Sequence, residues 1–372
     1  MAAGRSGMFT IAEKEFFDHI RSRKFLLIFS IFLVIAIIGM IGGISEYNQN
    51  IKSYNERVSV ISSSVIPDYI GEKPSVMTVF LTVSTYLVFL GAILGIAMGF
   101  DLITKEKESK SLKILLSHPI YRDEVINGKA LGGIAALCIA LAIVLLISFA
   151  TLLIYGIVPE ANELVLIAVF GVVSFLLIFT YFAISLFMST ACNDSGSALI
   201  FTMILFIVLS SLFPMVANNT VMESVIGSPP QMPQELIDQM RSSIKSENET
   251  QNSVISVAAY GADSPAWDDY NKKMTAYWEH RAAVQDALAL FSPTMNYERI
   301  MNAITISPGQ IMYLSSSSAY SSTVTSFDKS EHGSVDISGI LAGILGNLVA
   351  LLVFPACFFC LAYIRFMRMD VR

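Results

Sequence analysis

The chain has 372 residues, 54% of them hydrophobic and 15% charged, with a mean hydropathy of +0.62 and a formal net charge of −6. A soluble domain carries about a quarter charged residues, so the polar surface that two or three soluble domains would need is missing; disorder and a disulfide-stapled secreted module are excluded with them. The acidic balance gives no sign of a nucleic-acid partner, and Cys138, Cys192, Cys357 and Cys360 show no zinc-type pairing, so the composition is that of a membrane protein.

A charged amphipathic lead-in occupies 1–24. Crossing a hydrocarbon core of about 30 Å takes about 20 mostly apolar helical residues, and 25–44 is the first such run. It is too long for a cleavable signal and lacks a small-residue cleavage site. A polar stretch over 45–75, read as a loop, leads to a second run at 76–100. There Gly91, Gly95 and Gly99 lie four apart on one helical face. Small-residue faces let helices approach closely, and packing within one subunit is the first reading, with an interface between copies as the second. Gly39/Gly43 and Gly339/Gly343 repeat the spacing.

A charged loop over 101–129 follows, then apolar runs at 130–158, 164–190 and 197–217, a large insert over 218–336, and a last run at 337–364 with a short tail to 372. None of the six runs contains Asp, Glu, Lys, Arg or His. The predicted fold class is an all-α polytopic membrane protein with six transmembrane helices. With six crossings both ends share a side with 101–129 and with the turn at 191–196. That side holds 14 of the 24 lysines and arginines on much the smaller share of the polar chain, and Arg21, Arg23 and Lys24 directly flank the first run. The positive-inside bias therefore predicts cytoplasmic N- and C-termini and an extracytoplasmic insert between helices 5 and 6.

The insert carries 14 acidic and 7 basic residues. Trp267, Tyr270, Met274, Tyr277, Val284, Leu288 and Phe291 recur at spacings of three and four, with Arg281 interrupting the stripe, which predicts an amphipathic helix. A weaker one is expected over 233–245. Ser292 or Thr294 starts a further helix, with Tyr297, Ile300, Met301 and Ile304 on one side; it is read either as an amphipathic segment at the outer membrane boundary or as a plain surface helix. Cys357 and Cys360 are expected to be buried structural residues, and Pro355 to kink the last helix. Asn218 and Asn248 begin outward sequons, usable only in a host that glycosylates.

Candidate chemistry is narrowed by omission. Ion-coupled carriers place ionisable groups within the bilayer, and the six runs have none. Paired aspartates, a Ser/His pair and an HExxH pair are likewise absent. Gly128–Lys129 is the only Gly-Lys pair; it continues into Ala130, and position 123 is Asp, so no P-loop is present. Work against a gradient would then need an ATPase on another chain. In 101–129, Ser109 is expected to cap a short helix presenting Leu112, Leu115 and Leu116 on one side. Pro119 ends it, and a second helix starts at about Arg122. A charged helix with one leucine face suits docking to a partner or to headgroups, with a solvated loop as the plainer alternative.

Residues 105–122, Lys-Glu-Lys-Glu-Ser-Lys-Ser-Leu-Lys-Ile-Leu-Leu-Ser-His-Pro-Ile-Tyr-Arg, followed by Gly128-Lys129, closely resemble the loop after the second span in type-2 ABC transporter permeases. The start, Ala12 to Phe25, resembles the same family's amphipathic lead-in helix. The similarity covers about 10–215 and 290–370. Among family members, permeases serving copper-site assembly in nitrous oxide reductase maturation and sodium or drug efflux permeases are closest in feel. The long insert between spans five and six departs from many relatives, and no Met/His/Cys cluster favours copper.

The resemblance implies a mechanism: the loop helix is a coupling helix seated in a groove of a separate ATP-binding subunit. Glu106 and Glu108 would meet polar or basic groups of that subunit, Leu112, Leu115 and Leu116 would fill the groove, and Ser109, Pro119 and Arg122 would complete the interface. A leucine in a desolvated groove contributes about 1.5–3 kcal/mol and a rim ion pair about 0–1 kcal/mol. Implied with it are two ATP-binding subunits carrying ATP and magnesium, a second permease copy, no cofactor or catalytic residue in this chain, residence in the plasma membrane, and outward transport or force transmission. An accessory protein on the insert is a further expectation. The alternative is a non-transporting scaffold or signalling protein with a ligand-binding extracytoplasmic domain.

Overall fold

The computed structural model describes residues 7–61, 73–111, 121–217, 219–238, 265–305 and 337–369. Among the described residues there are helices and no strands. They are α1 (Gly7–Arg21), α2 (Arg23–Ile61), α3 (Met77–Gly99), α4 (Thr104–Glu108), α5 (Arg122–Ile154), α6 (Ala161–Ala191), α7 (Ser195–Ile207), α8 (Asn219–Ile226), α9 (Pro265–Ala289), α10 (Pro293–Thr305) and α11 (Ile337–Met367). Six stretches are long and apolar enough to cross a membrane: those of α2, α3 with α4, α5, α6, α7 with the turns after it, and α11. The chain is thus a multi-pass membrane protein, and each expected run coincides with one of these stretches to within a few residues at its ends, 130–158 overrunning α5 by four.

The first helix is longer than its apolar run. α2 covers 39 residues and continues to Ile61, so much of the stretch read as a loop is helical. Nothing in 44–61 stops it: there is no Pro or Gly, and polar helix formers continue the backbone hydrogen bonding. Elsewhere the ends follow local chemistry. α5 stops where Gly156 takes φ +74, with Gly156 N donating to Leu153 O and Ile157 N to Leu152 O, each at 3.0 Å; this left-handed C-terminal cap is the one glycine makes cheaply. α7 begins at Asp194, whose carboxylate accepts from Ser197 N at 2.8 Å and holds its pKa below the usual carboxylate range.

The chain divides into two compact units, one built around Met1–Phe213 and the last helices, the other around Pro214–Leu288. In the first, Phe80, Phe170, Phe182 and Leu87 are fully buried where α3 and α6 meet. Gly95 and Gly99 face α6. A Cβ on Gly95 would sit 2.5 Å from Ile178 O, and one on Gly99 2.8 Å from Phe182 O, so only glycine permits this backbone approach; Gly91 faces Ile178 as well. Outward-facing Leu27, Ile38, Leu146, Ile200 and Leu345 are exposed, as expected of helices whose solvent is hydrocarbon. Cys357 and Cys360 lie on that exposed surface and are not buried as expected, because α11 shows most of its apolar face outward. α11 continues through Pro355.

α10 buries the expected side, Tyr297, Ile300, Met301 and Ile304, but it is not a plain surface helix. Pro293 to Tyr297 are consecutively buried, together with Ile300, Met301, Ile304 and Thr305, so the helix is embedded among α3, α6 and α11. Two of its hydroxyls have partners on α6: Tyr297 Oη is 3.1 Å from Ser174 Oγ, and Thr294 Oγ1 is 2.8 Å from Tyr181 Oη. Ser292 caps it, accepting from Met295 N at 3.2 Å and donating at 2.6 Å to Leu209 O, a carbonyl in the π-helical turn Val208–Leu212.

The second unit holds α8, a helical turn over 234–238 and most of α9, which matches the expected amphipathic helix. Tyr277 Oη donates to Gly227 O at 3.1 Å, and the Arg281 guanidinium lies over the Trp278 ring at 5.2 Å. The rest of the weaker predicted helix, beyond 238, lies outside the described residues.

Candidate functional site

The loop after α3 is where the sequence concentrates charge, and its described flanks are tied to the rest of the bundle by polar contacts. α4 is one turn and a half, and four of its five side chains, those of Thr104, Glu106, Lys107 and Glu108, reach groups on other elements. Ser189, near the end of α6, accepts from Ile103 N at 2.9 Å and from Thr104 N at 3.1 Å through one hydroxyl. The Lys107 ammonium donates to Ser189 O at 3.2 Å, and to Thr190 O and Cys192 O at 2.7 Å each. A helix leaves its last carbonyls unpaired, and a cation there also favours the negative end of the helix dipole. Glu108 does the converse at the next helix: its Oε1 accepts from Ser195 N at 2.5 Å, at the positive start of α7. Ser195 Oγ donates to Thr104 Oγ1 at 3.0 Å. The turn between α6 and α7 is therefore held from both sides by one short helix.

The remaining α4 carboxylate points elsewhere. Glu106 Oε1 is 2.8 Å from Lys129 Nζ, and Glu15 Oε1 on α1 is 2.5 Å from the same ammonium. Lys129 is 3% exposed, and the two carboxylates are mostly buried. α1 reaches this position because α5 is bare where they cross: a Cβ on Gly128 would lie 2.7 Å from Met8 O, and one on Gly132 2.7 Å from Ala12 O. The Gly-Lys pair thus joins two needs, close backbone approach and a cation shared by two helices. Among the described residues, Glu106 Oε2 and His19 Nε2 are buried without a hydrogen-bond partner. Burial pushes the His19 imidazole below its usual pKa, outweighing the nearby carboxylates of Glu15, Asp101 and Asp18; Lys129 lowers it further. Lys24 pairs with Asp101 at 3.0 Å and lies over the Phe100 ring.

Arg122 opens α5 and donates to Met369 O at 2.9 Å, closing the end of α11. Ser109 closes α4 instead of starting the next helix: its N–H donates to Lys105 O, its Oγ is 2.8 Å from Ser111 Oγ, and Lys110 takes φ 57 immediately after. Glu106 and Arg122 are thus engaged within the chain, and Glu108 binds the α7 backbone from an exposed position. Leu112, Leu115, Leu116 and Pro119 lie outside the described residues. Sequence reasoning did not single out Lys107, Glu15 or Ser189. Among the described residues no group of three His, Cys, Asp or Glu is placed to hold a metal ion.

A loop braced at both flanks, beside a lead-in helix, on a six-crossing bundle is the pattern whose sequence resembled ABC permeases. Residues 9–371 match the model of the ABC-2 family transporter proteins. The chain belongs to the ABC-2 transporter family. It is also 27% identical over 194 residues to the protein named "Probable ABC transporter permease protein NosY" of Pseudomonas aeruginosa. That similarity covers 51% of this chain and 62% of the relative, so the chain spans less than two thirds of that protein's length. Members of such a family are membrane subunits, and the match runs from α1 to the residues just past α11, taking in every anchor of the loop.

Proposed function

We propose that the chain is the permease subunit of an ABC-type transporter, energised by a separate ATP-binding subunit seated against 101–129 on the cytoplasmic side. The single observation that carries the reading is the bracing of that loop. Its described flanks are fixed to the middle of α1, to α5 near its start and to the facing ends of α6 and α7, which is what a lever moved from outside the membrane requires. In this reading both termini are cytoplasmic, 218–336 faces the opposite side, and the protein resides in the plasma membrane. Two permease copies work with two ATP-binding subunits, which carry ATP and magnesium, and drive substrate or force outward. The leucines Leu112, Leu115 and Leu116 supply most of the docking affinity, with Ser109 and Pro119 shaping the segment.

Glu108 and Arg122 keep lesser parts in docking, since their polar groups already serve this chain. The test is purification in mild detergent with the ATP-binding subunit present. Leu115→Asp should abolish co-purification, and Arg122→Ala should only weaken it. Retention of the ATPase by Leu115→Asp would remove the assignment.

A further inference from the structure

We propose that Lys107, with Thr104 and Glu108, is a positioning residue that makes the turn 191–196 move as one body with the loop after α3, so that the loop's displacement reaches α6 and α7. The inference rests on the reading of 101–129 as the seat of an ATP-binding subunit and adds to it a route of transmission. Covalently, the loop is joined only to α3 and α5, and a push on it has no backbone connection to the following two helices. The side chains supply one. One ammonium takes three carbonyls at the end of α6, one carboxylate takes the first N–H of α7, and the hydroxyls of Ser189 and Ser195 close on Ile103 and Thr104. The charges are matched to the two helix ends, cation at the C-terminus and anion at the N-terminus. These contacts also act at both ends of α4, so rotation about any one of them is blocked by the others.

A lysine that merely capped α6 would leave the turn free to lag behind the loop. The two cases separate in the assembled complex, reconstituted in lipid nanodiscs with its ATP-binding subunit. Spin labels are placed on exposed positions in a background whose four cysteines are serine: Glu46 on α2 with Lys105 on α4, and Glu46 with Asn193 in the turn. Distances are compared without nucleotide and after trapping with ATP and orthovanadate. In the unsubstituted protein both pairs should shift. In Lys107→Met the 46–105 shift should persist while the 46–193 shift is lost, with the ATPase still bound and hydrolysing; Lys107→Arg should restore the second shift. Glu108→Gln with Ser195→Ala leaves the ammonium in place and should reduce the same shift, which keeps the test available if Lys107→Met does not fold. A 46–193 shift undiminished in these variants overturns the proposal. Absence of an ATP-binding subunit from the unsubstituted preparation instead overturns the reading beneath it, and the proposal with it.

Discussion

At the scale of single residues, the buried ammonium of Lys129 has the largest energetic stake. Two carboxylates share it in a setting nearly closed to solvent, and removing one partner of a buried pair costs about 3–5 kcal/mol because the other charge is left unpaired. Lys129→Met should therefore lower the thermal stability of the purified protein sharply, by a loss of that order. Adding Glu15→Gln and Glu106→Gln should return most of it, and no recovery in the triple variant would show that packing, not charge, is at stake. His19 gives a pH signature with a definite sign. Its folded pKa lies below the unfolded value, so its contribution to stability is intact above about pH 6.5 and is lost as pH falls below it. His19→Gln should flatten that acid limb in a melting series. Some of this was legible in the sequence. Glu15 interrupts the apolar stripe of Ile11, Ala12, Phe16 and Ile20, and Lys129 directly precedes a charge-free run; a charge in such a place asks for a partner. Lys107 left no such trace, because its partners are backbone carbonyls, and any residue type offers those.

At the scale of elements, close approach and buried polar contacts decide how helices seat. Gly128→Ala puts a methyl 2.7 Å from a carbonyl oxygen of α1, and since neither helix backbone can yield locally, α1 must lift from α5. Limited proteolysis within 7–21 should then speed up, with the ion triad weakened alongside; an unchanged rate would mean that α1 is held by other contacts. Ser292→Ala removes the donor to Leu209 O in the π turn and the cap of α10 together. An unpaired buried carbonyl and a lost cap each cost about 1–2 kcal/mol, so a clear drop in melting temperature is expected, larger than for Tyr297→Phe. The six crossing helices were legible because lipid demands long uninterrupted apolar runs. The extension of α2 and the embedding of α10 were not. A polar helical stretch carries no apolar period, and the burial of Thr294, Asn296 and Tyr297 becomes affordable only through partners on α6 and the end of α9, or through their own turn.

At the scale of the whole molecule, the family match and the six helices establish a multi-pass ABC-2 protein, and the braced loop supports the proposal that it is a subunit driven from the cytoplasm. In this reading a separate ATPase does the driving. Purifying tagged protein from its native membranes in mild detergent, and identifying by mass spectrometry what accompanies it, decides the matter. A stoichiometric P-loop ATPase, present with the unsubstituted chain and lost with Leu115→Asp, is the expected result. A chain that emerges alone, or with a non-ATPase partner that survives the substitution, would contradict it.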